Sequence, residues 1–98
     1  MNVKIELQHF SGCPNAPELI KRVKEAIKDL YNIEYNEVIV GSNEKAFQMK
    51  FRGSPTLLIN GEDFENHPEP EIAALACRYY SEGLPTVEKI KSKILSYL

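Results

Sequence analysis

Between residues 3 and 30 the hydrophobic period changes across one short break, and this change restricts the fold more than any other feature of the chain. Val3, Ile5 and Leu7 alternate with Lys4, Glu6 and Gln8 ahead of His9-Phe10, the period of two that marks a strand with one buried face. Ser11-Gly12-Cys13-Pro14-Asn15 interrupts the pattern. Leu19, Ile20, Val23, Ala26, Ile27 and Leu30 then recur at helical spacing, with Lys21, Arg22, Lys24, Glu25 and Lys28 opposite. That predicts an amphipathic helix with a solvated charged face. Two registers suit its start. Asn15 as N-cap puts Glu18 at the third helical position and Pro17 in the first turn, whereas Cys13 as N-cap makes Pro14 the first helical residue. In both, Cys13 lies within two residues of a helix N-terminus.

Tyr35 to Val40 reads as a second strand, closed by Gly41-Ser42. A short helix follows, with Asn43 as its cap and Ala46, Phe47 and Phe51 inward. Thr56 to Ile59 is a third strand, and Asn60-Gly61 is a two-residue hairpin turn into a fourth at Glu62 to Phe64. Asn66 to Pro70 is a loop, and Glu71 to Tyr80 reads as a short helix carrying Cys77. After the break at Gly83-Leu84-Pro85, Thr86 caps a last helix with Val87, Ile90, Ile94, Leu95 and Leu98 inward. The expected fold is α/β, ordered β-α-β-α-β-β-α. Its first two strands are parallel through a right-handed crossover, and its last two form a hairpin. The result is a four-stranded mixed sheet with helices on both faces. The alternation in the first strand puts Lys4 and Glu6 on a poorly covered side or near a sheet edge.

A chain of 98 residues suits a single domain, 1–98. Its 12 basic and 14 acidic side chains are scattered, without the basic stripe of a nucleic-acid binder. The longest apolar run, Ile72 to Cys77, is far short of the ~20 residues that cross a bilayer. No nucleic-acid or membrane partner is expected. Charges at Lys4 and Glu6 stand where a signal peptide needs its apolar segment, so a cytoplasmic location is expected. Two cysteines, Cys13 and Cys77, are too few for a disulfide scaffold. In a reducing compartment such thiols pack, bind metals or do redox chemistry.

Two local motifs sharpen this. Phe10-Ser11-Gly12-Cys13-Pro14-Asn15-Ala16 joins the first strand to the first helix, and Gly53-Ser54-Pro55-Thr56 precedes the hairpin. Together with the element order they resemble the thioredoxin-like superfamily. The likeness is to its small glutaredoxin-sized members that carry Gly-Cys-Pro-Asn-Ala in place of Cys-x-x-Cys. The resemblance implies a thioredoxin fold, a cis-proline at Pro55 and thiol–disulfide chemistry at Cys13. It also implies substrate contacts from Gly12, Pro14, Ser54, Pro55 and Thr56, with the Ser54 backbone left free to pair with an extended substrate. The departure lies at position 16, where the motif's second cysteine is replaced by Ala16, which cannot resolve a disulfide.

The thiolate is the attacking species in such exchange, and a helix N-terminus favours negative charge. Cys13 therefore reads as a reactive thiol, against the plainer reading of a small core residue after Gly12. Cys77 is either buried packing or a second catalytic thiol that resolves Cys13. Arg78 would then favour its thiolate, and Tyr79 and Tyr80 would shape the pocket. His9 and His67 complete a Cys/His set of four without metal-ligand spacing, so neither a zinc site nor a cofactor is implied. A soft metal held by thiolates is the remaining ligand class.

Two functions from different classes follow. One is a thiol–disulfide oxidoreductase in which Cys13 attacks and Cys77 or an external thiol resolves, its partner a protein or small-molecule thiol or disulfide. The other is a non-catalytic thioredoxin-fold binding module for a peptide, a thiol ligand or a soft metal. Glutathione-linked monothiol chemistry fits Cys13-Pro14 without a partner at position 16. The sequence marks no cationic site for the glutathione carboxylates.

Overall fold

The computed structural model describes residues 2–71 and 73–98. In chain order it contains β1 (Val3–His9), α1 (Ala16–Ile27), β2 (Ile33–Ile39), α2 (Asn43–Gln48), β3 (Thr56–Ile59), β4 (Glu62–Asp63) and α3 (Val87–Leu95). The sheet runs β2-β1-β3-β4. β1 pairs in parallel with β2, from Val3 opposite Ile33 to His9 opposite Ile39. It pairs antiparallel with β3, from Ile5 opposite Ile59 to Gln8 opposite Thr56. This is the expected four-stranded mixed sheet of an α/β protein.

The alternation in β1 decides where the core sits. Val3, Ile5 and Leu7 point to one face, where they meet Leu57 and Ile59 of β3, Leu19, Val23 and Ala26 of α1, and Ile90 and Ile94 of α3. Burying each large aliphatic side chain there contributes roughly 1.5–3 kcal/mol. On the other face Lys4 is exposed and Glu6 half-buried. Since β1 is a central strand, a poorly covered face explains their polarity, and a sheet edge does not; Gln8, further along the same face, is buried. Asn60 and Gly61 both have positive φ, 52° and 82°, the backbone of the type I′ hairpin that their sequence predicted.

Details of two helices differ from expectation. Ser42, one residue before Asn43, caps α2, its hydroxyl accepting from the Lys45 N–H at 3.0 Å. Phe47 is 66% exposed because α2 ends at Gln48 and the chain folds back. The Phe51 N–H then bonds the Ala46 carbonyl at 2.9 Å. Phe51 takes the inner place, in a second cluster with Val40, Ala46 and Ala73. In α3, capped by Thr86 as expected, Ile90 and Ile94 are buried but Leu95 and Leu98 are exposed. The helix stops at Leu95, and Tyr97 packs against the core instead.

The larger correction concerns Glu71 to Tyr80. Its described residues form no helix, Ile72 lying outside them. About ten residues make a marginal helix on their own, and here sheet-like pairing and an ion pair win. Ala76 to Arg78 run extended, with Cys77 bridged in parallel to Ser54.

Candidate functional site

The loop from Phe10 to Asn15 carries Cys13 from the end of β1 to the start of α1. Gly12 holds φ at +90°, and nothing lies within 4 Å of where a Cβ would stand. The backbone conformation, and not a lack of space, calls for glycine there. The Cys13 N–H donates to the Phe10 carbonyl at 3.2 Å and closes the turn. Cys13 is buried, at 5% exposure, while Pro14 is exposed. Asn15 is the N-cap of α1, without a side-chain cap bond. The first of the two sequence registers is therefore the one formed, and Cys13 stands two residues ahead of the cap. Ala16, at the place of the motif's second cysteine, is buried in the first turn of α1.

Ser54-Pro55 is cis, as the resemblance implied, and both residues are buried. The Ser54 hydroxyl accepts from the Phe10 N–H at 3.3 Å, so Phe10 links the two motifs, one backbone group bonded to each. The backbone of Ser54 is not free. Its N–H donates to the Ala76 carbonyl at 2.8 Å, and its carbonyl accepts from the Arg78 N–H at 2.9 Å. Both groups expected to receive an extended substrate are taken by the chain's own segment. The exposed Cys77 stands directly across from Ser54. Thr56 is buried, its hydroxyl donating to the Gly53 carbonyl.

That strap, residues 76–78, is firmly held. Arg78 makes two parallel hydrogen bonds to Asp63, at 2.6 and 2.8 Å, with side chains only 4% and 2% exposed. Removing one partner of a buried pair of this kind costs about 3–5 kcal/mol, because the other charge is left buried alone. The Asp63 Oδ2 also accepts from the N–H groups of Glu65 and His67, both at 2.9 Å. Burial by itself would push the Asp63 carboxyl up. Arg78 and the two backbone donors outweigh it and hold the group below the ordinary carboxylate value. Arg78 also lies 5.0 Å from the centre of the Tyr80 ring, and the Tyr80 hydroxyl donates to the Pro55 carbonyl. Gly53, at φ +106°, lets the strap approach, since a Cβ there would sit 2.8 Å from the Cβ of Arg78.

The guanidinium of Arg78, expected beside a thiol, is bonded to Asp63. Tyr80 is held on the cis-proline, through the Pro55 carbonyl. Burial first of all raises its phenol above the ordinary value, Arg78 partly opposes this, and the charges of Glu65, Asp63 and Cys13 add to it. Tyr79, 85% exposed, packs against nothing comparable.

On the side of Cys13 toward β2 lies a cavity of about 240 Å³, lined among others by Cys13, His9, Phe10, Pro17, Ile20 and Ile39. None of the lining residues is Lys, Arg, Asp or Glu. The His9 Nε2 is buried and has no hydrogen-bond partner. No sequence signal marks this cavity, because His9 and Ile39 come from different strands and meet only through the parallel register that sets them opposite one another. Asp63 was missed for the same kind of reason. A lone acid just past an Asn-Gly turn looks solvated until Arg78 is placed over it.

Among the described residues no three His, Cys, Asp or Glu side chains are grouped to hold a metal, and no helix is long and apolar enough to cross a membrane. A family model described as a thioredoxin domain matches residues 1–64. This span includes the Cys13 loop, the cis-proline and the hairpin, and ends before the strap and Cys77. No curated protein matches the chain.

Proposed function

The chain belongs to the thioredoxin domain family, and from that premise we propose that it is a thiol–disulfide oxidoreductase with Cys13 as nucleophile and Cys77 as resolving thiol. The observation that carries this reading is the pairing of Cys77 with Ser54. Ser54 is the residue whose hydroxyl is bonded by Phe10, and Phe10 in turn closes the Cys13 turn. Ala16 removes the resolving cysteine from its usual place, and the strap offers a replacement from the far end of the chain.

The chemistry is ordinary exchange. The Cys13 thiolate attacks one sulfur of a disulfide, a Cys13–sulfur bond forms, and the departing thiolate takes up a proton. Cys77 then attacks the Cys13 sulfur, releases the second half of the substrate as thiol and leaves a Cys13–Cys77 disulfide. An external dithiol reductant resets the protein. Such a cycle belongs in a reducing compartment, and the cytoplasm is the location we assign. Against the peptide-binding form of the rival reading, a non-catalytic module, stands the occupied backbone of Ser54. Its other form is thiol-ligand or soft-metal binding at Cys13.

Mild oxidation followed by peptide mass analysis without reduction tests the proposal. The expected product is a monomer lighter by two hydrogens, with one peptide pair linking Cys13 to Cys77. Dimers joined through Cys13 alone, or an inert Cys77, would overturn the resolving role. A Cys13 that resists alkylation in the folded protein would overturn the catalytic one.

A further inference from the structure

We infer that this site acts on small, uncharged disulfides with apolar substituents and rejects extended peptide disulfides. The inference rests on the reading of Cys13 as nucleophile and adds the class of substrate. Two independent observations carry it.

The first is exclusion. A peptide that binds by strand addition needs a free N–H and a free carbonyl on the receiving edge. At Ser54 both are satisfied by Ala76 and Arg78. The strap that satisfies them is pinned by the buried Arg78–Asp63 pair, by the Tyr80 hydroxyl on the Pro55 carbonyl, and by the close fit of Gly53 against Arg78. An incoming peptide would have to break all three to reach one backbone residue.

The second is accommodation. The cavity beside Cys13 lies on the β2 side of the loop, lined in part by His9, Phe10, Ile20 and Ile39, whereas the strap's backbone bonds go to Ser54. Its volume of about 240 Å³ falls below the roughly 300–1,000 Å³ of drug-sized ligand sites, which suits a small molecule. Its lining holds no Lys or Arg to pair with the carboxylates of glutathione. His9, one of the lining residues, carries a buried Nε2 without a hydrogen-bond partner. One alkyl arm of a disulfide fits such a space while the attacked sulfur meets Cys13.

In the reaction the Cys13 thiolate bonds to one sulfur of the disulfide, the sulfur–sulfur bond breaks, and the first alkyl thiolate leaves and is protonated. Cys77 displaces the second alkyl thiol and forms the Cys13–Cys77 disulfide, and a dithiol reductant restores both thiols.

The test uses the full chain, reduced, with three probes: dipropyl disulfide, oxidised glutathione, and a dimer of an uncharged extended pentapeptide joined by a disulfide. Rates of thiol release are divided by those of free 2-mercaptoethanol with the same probe, which removes differences in intrinsic reactivity. The expected result is an acceleration for dipropyl disulfide at least tenfold greater than for either other probe. Ile39→Glu, at a position already 60% exposed, should cut that acceleration about tenfold and leave the thermal midpoint unchanged. Equal or greater acceleration of the peptide dimer would overturn the inference alone, as would an Ile39→Glu variant of undiminished rate. A protein no faster than mercaptoethanol with every probe would overturn the inference together with the catalytic reading of Cys13.

Discussion

Arg78 and Asp63 face each other as a two-bonded ion pair sealed from solvent, and this pair fixes the strap that carries Cys77. Sequence neighbours do not explain it. Fifteen positions separate the two residues, and they meet because the Asn60-Gly61 turn brings Asp63 back beside β3 while the strap runs along Ser54. Stability and the geometry of the site therefore depend on the same contact.

Asp63→Ala should accordingly destabilise the fold by about 3–5 kcal/mol, the usual cost of leaving a buried charge without its partner. That is a large share of the roughly 5–15 kcal/mol that holds a small domain together. Replacing both residues, as in Asp63→Leu with Arg78→Met, should recover much of the loss, since no charge is then stranded. Urea midpoints for the single and double variants check this. A single variant as stable as the parent would show the pair to be dispensable.

The same pair makes stability depend on acid. The folded Asp63 carboxyl titrates below its ordinary value of 3.8. As pH falls, the unfolded chain takes up that proton first, so stability drops wherever the unfolded state binds more protons. The contribution is complete above about pH 5, shrinks below about pH 4, and is gone once pH passes the folded value. Asp63→Asn should flatten this part of the profile of urea midpoint against pH.

Gly53→Ala tests how closely the strap is seated. The new methyl group would meet Arg78 at 2.8 Å, in a backbone conformation of φ +106° that alanine resists. The strap should be pushed away from Ser54 while the β1 core is unaffected. Amide exchange should then speed up tenfold or more at Ser54 and Arg78, whose N–H groups make the two strap bonds. The amides of Ile5 and Leu7 should keep their protection apart from any change in global stability.

Most of the fold was legible because its signals are local. The period of two in β1, the 3.6-residue stripe of α1, the Asn60-Gly61 turn and the Thr86 cap each act within a few residues, and each is found where it was expected. The two local motifs likewise led to the Cys13 loop and the cis Ser54-Pro55 bond. What the sequence hid was non-local. The apolar run before Arg78 looked helical because nothing nearby shows that Ser54 would accept a parallel partner or that Asp63 would draw Arg78 inward. Phe47 and Phe51 were both assigned to the inner side of α2. Only the chain reversal after Gln48, with Phe51 bonded back to Ala46, decides between them.

The last prediction separates the two thiols. Cys13 is buried beside an apolar cavity and Cys77 is exposed on the strap, so the proposed roles of attack and resolution should come apart under substitution. Cys77→Ser preserves the strap, whose bonds to Ser54 are made by the backbone of Ala76 and Arg78. Attack by Cys13 should therefore proceed at close to the parent rate, and the reaction should stop at the mixed disulfide for lack of a second thiol. Intact mass after brief treatment with dipropyl disulfide should show one propylthio group per chain, mapped to Cys13 by peptide analysis. The parent protein, treated alike, should show the Cys13–Cys77 disulfide and no retained propylthio group. Cys13→Ser should give neither product on the same timescale. If the parent retains the adduct as fully as Cys77→Ser does, Cys77 does not resolve Cys13, and the resetting thiol comes from another molecule.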